Sequence, residues 1–130
     1  MGMYTGLRGS VTFKESIADV MKEYYDFADE DYYDSVWEYI KVQTGLDLKG
    51  FESDYRCGYI PTGEVCYMPD EWGDNDWQFA GSTLYFTCSL KNYTGTIEKF
   101  IDILPIIAVS WDLEKLYEED SESTFYKSGE

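Results

Sequence analysis

Ser82-Thr83-Leu84-Tyr85-Phe86-Thr87-Cys88-Ser89-Leu90 is the stretch on which the fold turns. Leu84, Phe86, Cys88 and Leu90 recur at a period of two, the pattern of a strand with one apolar and one wet face. Downstream, Thr94 or Thr96 can cap a helix whose apolar stripe is Ile97, Phe100, Ile101 and Leu104, with Pro105 placed to end it. Ile106 to Tyr117 then reads as the last long strand, with Ile107, Val109, Trp111, Leu113 and Tyr117 on one face. A turn at Asp120-Ser121 leads into an edge strand over Ser123 to Lys127.

Upstream, Pro69 to Gly81 reads as a loop dense in acids and tryptophans. Tyr55 to Ile60 and Glu64 to Met68 flank Pro61-Thr62-Gly63 as the arms of a hairpin. Leu46 to Ser53 is loop. From Glu15 to about Val42 there is neither glycine nor proline. Ile17, Val20, Met21, Tyr24 and Ala28, then Tyr33, Val36, Trp37 and Ile40, fall at helical spacing. The pattern predicts two helices broken at Asp29-Glu30-Asp31, an Asp capping the second and Gly45 ending it, or else one helix of ~28 residues, about 42 Å long. Tyr4 to Phe13 alternates as a strand with Leu7, Val11 and Phe13 inward, and Gly6 and Gly9 suggest a bend or bulge.

This order predicts an α+β fold, an antiparallel sheet with helices packed on one face, in a ferredoxin-like arrangement with an inserted hairpin. In outline, Ser82 to Lys127 resembles the small ferredoxin-like proteins carried by plasmids and phages. The 130 residues suit a single domain, 1–130. With 13 Tyr, 7 Phe, 4 Trp and 44% hydrophobic residues, the chain carries the apolar material that disordered acidic chains lack. Cys57, Cys66 and Cys88 form no ligand-spaced pair and are expected as reduced thiols. Neither a signal-peptide pattern nor an apolar run near ~18 residues is present, so a cytoplasmic location is expected and no membrane partner.

Charge bounds the function. There are 26 Asp and Glu against 10 Lys and Arg, no histidine, and a formal net charge of −16. Such a chain repels nucleic acid and anionic membranes and attracts basic surfaces. Glu15, Asp19, Glu23, Asp26, Glu30, Asp34 and Glu38 follow at intervals of three or four, which on helix makes one stripe. Like charges at i,i+4 cost ~0.2–0.5 kcal/mol each, and only Lys14, Lys22 and Lys41 lie near the stripe. A second cluster, Asp70, Glu71, Trp72, Asp74 and Asp76, mixes carboxylates with tryptophan in a loop suited to a partner's arginines, or simply to solvent. On the last long strand, Asp112, Glu114 and Glu118 share one face, where carboxylates two residues apart stand about 6.6 Å from each other. Tyr24, Tyr25, Tyr32, Tyr33 and Tyr39 interleave with the helical acids as boundary residues, buried rings with wet hydroxyls.

The chemistry that is missing is as informative. Without histidine, the nucleophile–His, zinc–His and haem–His arrangements are excluded together. No G-x-x-x-x-G-K-[ST] or strand-linked G-x-G-x-x-G supports a nucleotide, and the Asp70–Asp76 run lacks the ligand order of a calcium loop. No enzyme activity, cofactor or metal is therefore expected.

In size, acidity, aromatic richness and lack of catalytic motifs, the chain resembles phage proteins that disarm bacterial defence, including anti-CRISPR proteins that occupy the DNA-binding surface of a Cas nuclease. The resemblance is one of class, without a shared motif, and transfers no residue roles. It implies an inhibitor, acting in the cytoplasm of an infected or host bacterial cell, that binds a basic nucleic-acid-binding protein through carboxylates standing in for phosphates. The alternatives are a non-catalytic adaptor or self-assembling module that uses the tryptophan loop or a sheet edge, and a small carboxylate-based enzyme or metal-dependent domain.

Overall fold

The computed structural model describes residues 4–27, 33 and 35–128. Strand β1 (Thr5–Phe13) leads through Lys14 into α1 (Glu15–Phe27), followed by α2 (Val36–Thr44) and a long connection containing the single turn α3 (Tyr59–Thr62). Strands β2 (Asp76–Ala80) and β3 (Thr83–Leu90) then form a hairpin, α4 (Thr96–Ile107) crosses back, and β4 (Ala108–Tyr117) and β5 (Thr124–Lys127) finish the sheet. The strand order is β2-β3-β1-β4-β5 with every pair antiparallel. Without β5, this is the β-α-β-β-α-β order and 2-3-1-4 sheet of the ferredoxin-like arrangement.

Alternation explains why β1 holds the centre. Leu7, Val11 and Phe13 face the helices, in register with Cys88 and Leu84 of β3 and with Lys115, Trp111 and Ala108 of β4. Gly9, at φ +137°, opposes Leu113, and a Cβ there would stand 2.1 Å from the Asp112 carbonyl oxygen, so only glycine lets β4 approach this closely. The buried side of the sheet meets Ile17, Ala18 and Met21 of α1, Val36, Trp37 and Ile40 of α2, and Ile97, Phe100, Leu104 and Ile107 of α4. Among the described residues, no α-helix covers the opposite side.

Trp37 organises the core and overturns the predicted hairpin. Its buried ring lies 6.4 Å from Phe13 and 5.3 Å from both Phe51 and Phe100, and its Nε1–H donates to the carbonyls of Cys57 and Ile60 at 3.0 Å. Those carbonyls turn inward and Pro61 has no N–H, so residues 55–63 form turns and α3 instead of a ladder. The inserted unit is thus a coiled cover over the core.

Other boundaries move for local reasons. The break between two helices falls after Phe27, but the predicted break residues Asp29–Asp31 lie outside the described residues. Ser35 rather than an Asp caps α2, its Oγ accepting from the Glu38 amide, and Gly45 ends that helix at φ +72° as expected. Neither Thr94 nor Thr96 caps α4. Gly95 occupies the cap without a side chain, and Asn92 Oδ1 accepts from the Ile97 amide instead. Pro105 does not end α4, because the Ala108 amide still donates to Leu104 and the helix runs on to Ile107. The last long strand therefore begins at Ala108, and a register irregularity at Thr12/Phe13 leaves Val109 exposed. Part of the predicted tryptophan loop is strand β2.

Candidate functional site

The acids divide between two surfaces. On α1, Glu15, Asp19, Glu23 and Asp26 are exposed along one side of the helix, and none of them makes an ion pair among the described residues. Glu23 accepts a hydrogen bond from the Tyr39 hydroxyl, which, with burial and the nearby negative charge, pushes that phenol up to about 12. Lys22 is turned aside, its Nζ 5.4 Å from the centre of the Phe79 ring. The expected single stripe is shorter than the spacing implied. It ends with α1, Glu30 and Asp34 lie outside the described residues, and Glu38 is half-buried on α2, a separate helix.

Contacts between α1 and β2 place this helix over one sheet edge, with Tyr25 4.4 Å from Trp77. Around that edge begins the second surface, the side of the sheet that no described α-helix covers. The register arranges it in rows: Gln78, Tyr85, Ser10, Asp112 and Lys127 in one, Asp76, Thr87, Arg8, Glu114 and Phe125 in the next. A shallow cavity of about 430 Å³ lies over both rows, floored by Ser10 and flanked by the exposed Tyr85 and Phe125. Arg8 pairs with Glu114 at 2.7 Å. Burial opposes ionisation of Glu114, but hydrogen bonds from Ser123 and Arg8 and the guanidinium charge outweigh it and hold its pKa below the usual range.

The Asp70–Asp76 segment closes one end of this face, and its tryptophans are not exposed anchors. Trp72 is 4% exposed. The Arg8 guanidinium lies 4.3 Å from its ring centre, and Trp72 and Met68 occupy the space where a side chain at Gly6 would stand. Trp77 faces the helices from β2. Asn75 ties the segment down, donating to the carbonyls of Pro61 and Thr87 at 3.0 and 2.9 Å. Asp70, Glu71, Asp74 and Asp76 remain exposed. Glu118 leaves the expected strand face, because it lies beyond β4 and accepts from the Tyr4 amide at 2.6 Å. The three predicted acidic clusters thus become two surfaces meeting at the β2 edge.

No protein-family model, curated protein or solved structure matches the chain. Its chemistry therefore rests on its own geometry. Among the described residues, no group of three or more Cys, Asp or Glu is placed to hold a metal ion, and no helix is long and apolar enough to cross a membrane. Cys57 and Cys88 are buried and Cys66 is half-buried.

Sequence reasoning missed an aromatic cleft at the other end of the sheet, lined by Tyr4, Tyr55, Tyr59, Arg56 and Lys91. Its residues are scattered over three segments that only the fold brings together. Of the interleaved tyrosines singled out from sequence, Tyr24 and Tyr39 are buried and Tyr25 and Tyr33 half-buried, as expected of boundary residues, and Tyr32 lies outside the described residues. Tyr24 meets Tyr25, and Tyr33 meets Tyr39, edge to face.

Proposed function

We propose that this chain is an inhibitor of the phage or mobile-element type that binds a basic nucleic-acid-binding protein, such as a CRISPR–Cas nuclease, by presenting carboxylates where the partner expects phosphates. The observation that carries this reading is the unpaired acidic face of α1, a rigid helix set over a sheet edge that itself turns into a second acidic face. From Glu15 to Asp26 the helix rises about 16 Å at ~1.5 Å per residue, with a carboxylate roughly every 5 Å. One DNA strand carries a charge about every 3.4 Å of axis, so α1 alone offers somewhat over half of a strand's charge density. The exposed acids of the Asp70–Asp76 segment and Asp112 supply more around the edge, whereas Glu114 is neutralised by Arg8. Binding would need no catalytic group, and its location in this reading is the bacterial cytoplasm, where such partners work.

Competition with labelled duplex DNA for a purified Cas nuclease tests this. The wild-type chain should displace DNA, less well as salt rises, and Asp19→Lys, Asp26→Lys and Asp74→Lys together should abolish displacement while the fold is kept. Glu23 is spared because it holds Tyr39. Displacement unaffected by these reversals, or by salt, removes charge mimicry as the mechanism. A second reading, an adaptor or self-assembling module, is favoured by one observation: among the described residues β2 pairs with β3 alone, which leaves its other edge without a strand. A salt-resistant dimer in sedimentation, broken by Gln78→Pro, would support it.

A further inference from the structure

The cleft at the Tyr4 end departs from the rest of the molecule in charge and in composition. It encloses about 540 Å³ between residues 55–66 and the ends of β1 and β3, within the range of small-ligand sites. Tyr55 is 87% exposed and Tyr59 52%, so two aromatic rings of the lining stand open to solvent. Beside them Tyr67, also exposed, lies 5.5 Å from Tyr4 with φ +61°, a conformation rare for a ring-bearing residue and found preferentially at functional sites.

Two cations face this cleft. Of the ten Lys and Arg residues, Arg8, Lys41, Lys99 and Lys115 are in ion pairs among the described residues, and the other six, Arg56 and Lys91 included, are not. Arg56 and Lys91 lie against tyrosine faces instead. Arg56 Cζ is 5.3 Å from the centre of the Tyr55 ring and 5.5 Å from that of Tyr93, and Lys91 Nζ is 5.7 Å from that of Tyr4. The frame beneath is fixed. Asp54, its side chain 1% exposed, accepts from the Arg56 amide, Thr94, Thr96 and Lys99, while Ser89 Oγ donates to the Glu64 carbonyl and accepts from the Cys66 amide at 2.9 Å.

We propose that this cleft binds a small ligand in which an aromatic ring carries a phosphate, the chemistry shared by a mononucleotide and a phosphotyrosine side chain. The rings of Tyr55 and Tyr59 offer stacking faces for the ligand's ring. Arg56 and Lys91 match the −1.5 to −2 charge of a phosphate monoester. Among the described residues lining the cleft, Glu64, exposed at the mouth, is the one carboxylate, against the two cations Arg56 and Lys91. A long polyanion is disfavoured, because it would run out over acidic surface.

Calorimetric titration of the full chain at physiological salt tests the proposal, with phenyl phosphate and adenosine monophosphate as probes and inorganic phosphate and adenosine as controls. At least one aromatic phosphate should bind ten times more tightly than either control. Preference for the nucleotide points to a mononucleotide source, and preference for phenyl phosphate to a phosphotyrosine source. Arg56→Gln and Lys91→Gln should each weaken binding about tenfold, Arg56→Lys should weaken it less, and Glu64→Gln should tighten it. Glu64 is exposed and Arg56 and Lys91 are half-buried at the cleft wall, and circular dichroism checks that the variants fold. Aromatic phosphates that bind no better than inorganic phosphate, or binding unchanged in the Arg56→Gln/Lys91→Gln double variant, would overturn it.

Discussion

If the α1 acids serve a partner, they should cost the free protein stability, and the cost can be worked from positions on the helix. Asp19 stands four residues from both Glu15 and Glu23, two repulsions worth ~0.2–0.5 kcal/mol each, and three from Lys22, one attraction of similar size. Removing its charge therefore gains about one such unit. Asp26 gains nothing net from its neighbours, since Glu23 at i−3 and Lys22 at i−4 offset each other. It does sit in the last turn of a helix with no basic residue there, where a negative charge opposes the helix dipole by ~0.3–1 kcal/mol. Asp19→Asn with Asp26→Asn should then stabilise the fold by about 0.5–1.5 kcal/mol, read as a rise in the urea midpoint at unchanged slope. At 1 M salt, where the screening length falls to about 3 Å, most of that gain should vanish. A double variant that is equally or less stable at low salt would mean that the stripe carries no energetic penalty and is simply a well-solvated helix face.

Asp54 gives a pH test. Burial alone would raise its pKa, but hydrogen bonds from Thr96, the Arg56 amide, Lys99 and Thr94 outweigh it and hold it at about 2, against an ordinary value of 3.8. The folded pKa is depressed, so its contribution, ~2 kcal/mol, is complete above pH 4 and is lost as pH falls toward 2. Asp54→Asn should be less stable than wild type at pH 7 in urea titrations and should converge with it near pH 2; parallel curves would contradict the assignment. Trp37→Phe leaves the Cys57 and Ile60 carbonyls without their donor and should cost ~2–4 kcal/mol in thermal unfolding, with faster amide exchange over residues 57–63. In the native protein Cys66 should react first with a thiol reagent, while Cys57 and Cys88 should react only on unfolding, burial having also pushed the Cys88 thiol up. Three equivalent thiols under native conditions would refute the packing.

The sheet was legible wherever apolar residues alternate. Leu7, Val11 and Phe13, and Leu84 to Leu90, follow the pleat because one side of each strand is buried and the other wet. Reading failed where a tertiary partner overrides the local signal. Pro61-Thr62-Gly63 has turn chemistry, but the chain around it answers to the indole of Trp37, 23 residues before Ile60. Asp76 to Ala80 looks like the end of a loop because Asp76 and Gln78 face solvent, and only pairing with β3 makes it a strand. The acidic stripe was read from a period that persists in sequence after α1 has ended, since spacing cannot show that two helices have different axes. The aromatic cleft was illegible because Tyr4, Arg56 and Lys91 share no local pattern.

The two proposed surfaces can be told apart by how each answers to salt, because they sit differently in one field. In water a single charge roughly 20 Å away contributes ~0.2 kcal/mol, so a net −16 opposes an anion at the aromatic cleft by a few kcal/mol when unscreened. At physiological ionic strength, with a screening length of about 8 Å, that opposition falls about tenfold, whereas Arg56 and Lys91 act from within the cleft and keep most of their attraction. Raising salt from very low values toward physiological should therefore strengthen phosphate binding at the cleft before further salt weakens it. Binding of a basic partner at α1 has no opposing field and should weaken from the first addition. A cleft affinity that only falls with salt would mean that the molecule's negative charge does not reach that end, and the charge segregation argued from Arg56 and Lys91 would then be wrong.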